Sequence, residues 1–149
     1  GKIVSANKAF MHNFGFDEYV IFDEWAKVAG HGDNNVSTKG RFKNPELLSN
    51  GSYLPASSVL GKYCDDILVD SVLSYAAKSK AKRKPFLIYY SMSLAHSPFS
   101  PTPDDPEFAT WDPLLEISDP KYFPSMVAYM DKKVGQVING IDRISSNII

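Results

Sequence analysis

The sequence has one cysteine, Cys64, which excludes an internal disulfide and a cysteine-built zinc cluster. It has no apolar run long enough to span a bilayer, so no membrane-spanning helix is read. Charge of one sign is lacking too: the net value is −1 over 149 residues. A chain so balanced has no overall field to recruit nucleic acid or an anionic membrane, and neither partner is expected. The opening stretch GKIVSANKAF has none of the apolar core of a signal peptide. The Asn-x-Ser triplets at Asn35 and Asn50 are of a kind that chance supplies, and no glycosylation is read from them. What is present is a chain of one-domain size with an ordinary apolar fraction and generous aromatic content, enough to bury a core.

The first element is FGFDEYVIF, where Gly15 suits a turn and residues 19–22 are β-formers. Residues 29–62 are rich in Gly, Asn, Ser and Pro and read as a long surface loop region, with room for a small hairpin at Asn50-Gly51. In CDDILVDSVLSYAAKSKAKRKP, Asp65 or Asp66 is placed to cap a helix, and Leu68, Val72, Tyr75 and Ala76 recur at helical spacing. The basic tail of that helix faces the negative end of its dipole and reads as a solvated helix end, and Pro85 stops it. FLIYYSM then runs apolar without alternation, the pattern of a strand covered on both faces in a parallel sheet. After a Pro-rich connection over 94–118, Asp119-Pro120 opens a long helix. Val127, Met130, Val134, Val137, Ile141 and Ile144 line one face of that helix. Gly135 and Gly140 each weaken it by roughly 1 kcal/mol relative to alanine. The order strand, helix, strand, helix predicts an α/β fold, a mainly parallel sheet flanked by helices.

His96 lies a few residues past the carboxyl end of the 86–92 run, between Ala95 and a pair of prolines, Pro98 and Pro101. Sites in α/β sheets gather at that edge. A single histidine defines no chemistry, so from spacing alone it is as consistent with a satisfied core histidine as with a site residue.

Four segments, in order, resemble the sulfatase family of the alkaline phosphatase superfamily. HNFGFDEY is similar to the GFD segment that follows the family's GKW motif. RFKNPELLSNGSY is similar to R-Y-x-x-P-x-x-x-x-N-G, and residues 63–99 resemble the family's Y-x-x-D-x-x-x-D helix followed by PFFLYLS and PHxPF. YFPSMVAYMDKKVGQVINGID resembles the helix Y-x-x-M-V-x-Y-M-D-x-x-V-G-x-I. The resemblance implies that His96 contacts sulfate and protonates the leaving group, a role suited to an imidazole. Ala95 replaces the usual proline before it. The resemblance also implies that Lys2 of Gly1-Lys2, a remnant of GKW, holds a sulfate oxygen as a point charge, with Lys8 as the alternative if the alignment slips. His96 and Lys2 should then approach one sulfate.

The resemblance implies two further components for a full-length parent: a formylglycine made from C/S-x-P-S-R, and calcium or magnesium held by carboxylates. No C/S-x-P-S-R string occurs here, and Cys64 in YCDDI does not match it. No cofactor is therefore expected in residues 1–149, which read as one internal segment of a sulfatase catalytic domain, inactive alone. The substrate implied is a sulfate ester and the location periplasmic or secreted. Self-association through uncovered strand edges is expected. A non-catalytic domain binding an anionic or sulfated ligand, or a phosphoester or phosphonate hydrolase of the same superfamily, are the alternatives.

Overall fold

A computed structural model describes residues 11–22, 41–115 and 117–146. The chain divides into two compact units, residues 1–64 with 112–116, and residues 65–111 with 117–149.

In the first unit, a short 3-10 turn at His12–Phe14 ends on Gly15, whose φ of 86° is open to glycine. The chain then enters β1, Val20–Phe22, which pairs antiparallel with β2, Leu47–Ser49, and β2 pairs antiparallel with β3, Ser52–Tyr53. The β2–β3 loop is the expected Asn50-Gly51, with φ of 48° and 84°, the two left-handed residues that a tight hairpin turn needs. Asn50 also fastens β1: its Oδ1 accepts from the Tyr19 N–H at 2.8 Å and its own N–H donates to the Tyr19 carbonyl at 3.1 Å. Residues 41–62 of the 29–62 region thus carry β2, β3 and the short helix α1, Ala56–Val59. They also supply core, because Phe42, Leu47, Leu48 and Val59 are buried, and Phe42 stacks on Tyr63 at 5.6 Å.

The second unit holds most of α2, Cys64–Ala81, and all of α3, Phe123–Ser146. α2 ends in a left-handed Arg83 with the Lys84 N–H donating to the Ser79 carbonyl, a closure that usually recruits glycine, and Pro85 follows. Asp119 caps as expected, its side chain accepting from the Lys121 N–H at 3.0 Å. It starts a 3-10 turn, Pro120–Tyr122, that runs into α3. The buried face of α3 is Met126, Tyr129 and Lys133, continuing from the buried Tyr122 of the 3-10 turn; it is rotated from the expected apolar face, of which Met130, Val137, Ile141 and Ile144 are half-buried. Val127 and Val134 of the expected face are exposed, with Phe123 and Ile138 beside them. The rotation has an electrostatic cause. Asp66 on α2 accepts from the Tyr129 hydroxyl at 2.7 Å and lies 2.5 Å from the Lys133 ammonium, and these polar contacts select the face that turns inward. At the far end the Lys80 ammonium donates to the Ile144 carbonyl, a cation at the negative end of α3.

The mainly parallel sheet is a correction. Among the described residues the one sheet is antiparallel, in the order β1-β2-β3, and residues 86–92 pair with no described strand. An apolar run reads as a two-sided strand only if neighbours cover it. Here exposure alternates instead: Leu87, Tyr89 and Ser91 face out while Ile88, Tyr90 and Met92 are half-buried, the period of a one-sided extended segment. The architecture among the described residues is mixed α/β.

The two α3 glycines differ in surroundings. A Cβ on Gly135 meets nothing within 4 Å, whereas one on Gly140 falls 2.4 Å from a Leu73 methyl. Gly135→Ala should therefore raise stability by about 1 kcal/mol. Gly140→Ala should gain less or lose, since Leu73 must swing away. Thermal unfolding of the two variants checks this, and equal gains would mean that α2 and α3 do not approach closely there.

Candidate active site

The stretch that delivers His96 is held at both ends by side chains from elsewhere in the second unit. On its approach, Asp65 in the first turn of α2 accepts from the Ser93 hydroxyl at 2.7 Å and the Tyr90 hydroxyl at 3.2 Å. Beyond it, the Phe99 N–H donates to Ser118 Oγ at 2.9 Å and the Phe99 carbonyl accepts from the Asp119 N–H at 2.9 Å. Pro101 and Thr102 are buried, and the Asp105 carboxylate accepts from both the N–H and the hydroxyl of Thr102. Between these anchors the Leu94–Ala95 and Ser97–Pro98 peptide bonds are cis.

His96 itself is exposed, a few residues past the 86–92 segment. Its N–H donates to the Ser93 carbonyl at 3.2 Å, and its Nδ1 lies 2.6 Å from the Ser97 carbonyl. A carbonyl has no proton to give, so Nδ1 is assigned the N–H in that contact. An exposed ring so held can donate a proton to a bound anion or to a departing oxygen. His96 is therefore exposed, not a buried core residue.

Lys2 and Lys8 lie outside the described residues, as does Asn35, so His96 is the one described member of the pair read from the sequence. Asp65 and Asp66 do not act as caps. Asp65 is fully buried and bonds to Tyr90 and Ser93, and Asp66 bonds to Tyr129 and Lys133. Adjacent helical residues point some 100° apart around the axis, so one turn reaches two different segments. Burial pushes the Asp65 carboxyl above its ordinary range, partly offset by the Ser93 and Tyr90 bonds. Burial, then the Asp66 carboxylate, pushes the Tyr129 phenol strongly up.

Among the described residues no group of three or more His, Cys, Asp or Glu is placed to hold a metal ion. No described helix is long and apolar enough to cross a membrane.

The sulfatase family matches residues 3–149, nearly the whole chain, and the protein belongs to that family. No curated protein and no solved structure matches it. The family is one of hydrolases, and its members are generally secreted or periplasmic.

Proposed function

We propose that these residues form the leaving-group side of a sulfatase active site in a longer enzyme that hydrolyses sulfate monoesters. The observation that carries the reading is His96: exposed, with Nδ1 held by the Ser97 carbonyl, in a segment that resembles the family's PHxPF motif. In the proposed reaction the S–O bond to the alcohol breaks as a nucleophile attacks sulfur. The alkoxide that forms takes a proton from Nε2 of the imidazolium, leaving neutral His96 with its Nδ1–H still on the Ser97 carbonyl. That proton removes the need to expel a strongly basic anion, the step for which a general acid is worth most. Lys2 is proposed as a second sulfate contact by family resemblance alone. The formylglycine nucleophile and a calcium or magnesium ion are proposed for parts of the enzyme other than this chain, and the location is proposed to be periplasmic or secreted.

The test is turnover. Residues 1–149 alone should hydrolyse neither aryl sulfates nor aryl phosphates above buffer, while the full-length enzyme should prefer the sulfates. Hydrolysis by residues 1–149 that disappears in His96→Ala would show a complete site in this chain and overturn the fragment reading. Preference for phosphates would indicate a phosphoester hydrolase, and sulfate binding without turnover by the full-length protein would indicate a binding module.

The uncovered 86–92 segment carries a second expectation. Leu87 is 84 % and Tyr89 77 % exposed, so apolar side chains stand beside backbone that no described strand pairs. Residues 1–149 should self-associate at micromolar concentration, and Leu87→Asp with Tyr89→Asp should return the monomer in sedimentation velocity. A monomer in both cases would mean that the segment is protected.

A further inference from the structure

Asp65 is fully buried, and its carboxylate takes its bonds from the segment leading to His96. Oδ2 accepts from the Ser93 hydroxyl at 2.7 Å and Oδ1 accepts from the Tyr90 hydroxyl at 3.2 Å. The neighbouring Asp66 has a cation, Lys133, whereas no described cation pairs with Asp65. A buried carboxylate without a cation is an expensive way to fill space, since an apolar or neutral group of similar size would pack there at lower cost. What the carboxylate offers is geometry. Its two oxygens each accept from a hydroxyl, whereas asparagine offers one acceptor oxygen and an NH2 group that can only donate.

Ser93 passes this constraint on. While its hydroxyl is held by Asp65, its carbonyl accepts from the His96 N–H at 3.2 Å, closing the turn 93–96. One residue thus joins the first turn of α2 to the residue proposed for chemistry. We propose that Asp65 is a positioning residue: through Ser93 it fixes the turn 93–96 and thereby the placing of the His96 imidazole, without touching substrate. This rests on the reading of His96 as a site residue, and the test separates the two.

The chain has three histidines, so the His96 ring signal in an isotope-labelled sample is identified by its loss in His96→Ala. In Asp65→Asn, backbone order parameters over 93–98 should fall from rigid values of about 0.85 toward 0.6 or below. The His96 ring signal should move toward its position in an unstructured peptide, while the unfolding temperature stays level or rises because a buried charge is gone. In the full-length enzyme Asp65→Asn should lower kcat about tenfold with little change in KM, and should cost nothing further on a His96→Ala background, the mark of an effect routed through that ring. Ser93→Ala, which removes only a hydroxyl, gives the same loop measurement should Asp65→Asn not fold. Order parameters and ring signals unchanged in either folded variant would overturn the positioning role. Loosening of the turn with His96→Ala fully active would instead leave the positioning intact and refute the catalytic reading of His96.

Discussion

Replacing His96 by alanine in the full-length enzyme is expected to lower kcat/KM toward aryl sulfates by about two to four powers of ten, the range for removal of a positioned general acid. The fold should not pay for it. His96 is exposed, and substitutions at such places shift stability by no more than about 0.5 kcal/mol. A loss of activity at unchanged unfolding temperature is therefore the expected pair of results. A parallel loss of both would mean that the imidazole's contacts to Ser93 and Ser97 serve the loop's integrity instead.

The second large effect is on stability. Lys133 is buried, with its ammonium 2.5 Å from Asp66, 3.0 Å from Gln136 Oε1 and 4.7 Å from the centre of the Tyr129 ring. Asp66→Ala leaves that buried cation with Gln136 and the Tyr129 ring but without its counter-charge, and strips the Tyr129 hydroxyl of its acceptor. Removing one member of such a pair costs about 3 kcal/mol, on the order of 10 °C in unfolding temperature for a chain of this size. Combining Asp66→Ala with Lys133→Met should recover much of the loss, because the stranded charge is then gone too. Denaturant unfolding of the two variants checks this. A single variant as stable as the parent would mean that water already screens the pair.

The same contacts explain which parts of the fold could be read from sequence and which could not. The Asn50-Gly51 hairpin and the Asp119 cap were legible because a few adjacent residues decide them: two left-handed residues in one case, a carboxylate ahead of a proline in the other. The inward face of α3 was not. Hydropathy favours the stripe containing Val127 and Val134, yet the pull of Asp66 on Tyr129 and Lys133 comes from more than sixty residues away in sequence, as the 63-residue Asp66–Tyr129 separation shows. The 86–92 run failed as a two-sided strand for a related reason: apolar residues state what could be covered, and only neighbouring strands decide what is. At the candidate site, a change of composition and family resemblance single out His96, and the structure shows it exposed. Asp65 was not legible, because an acidic residue in the first turn of a helix is ordinarily a cap, and nothing local says that its oxygens are claimed by Ser93 and Tyr90. A Ser three residues ahead of the histidine was the available signal.

The most direct test of His96 as the leaving-group acid compares two substrates in the full-length enzyme, 4-nitrophenyl sulfate and phenyl sulfate. Nitrophenolate departs readily without a proton, whereas phenolate, the stronger base, needs one as the S–O bond breaks. The account predicts that His96→Ala costs phenyl sulfate at least about ten times more in kcat/KM than it costs 4-nitrophenyl sulfate, since a general acid matters most where the leaving group is most basic. Equal losses for the two substrates would contradict it, and would leave His96 as a sulfate-binding residue with no part in proton transfer.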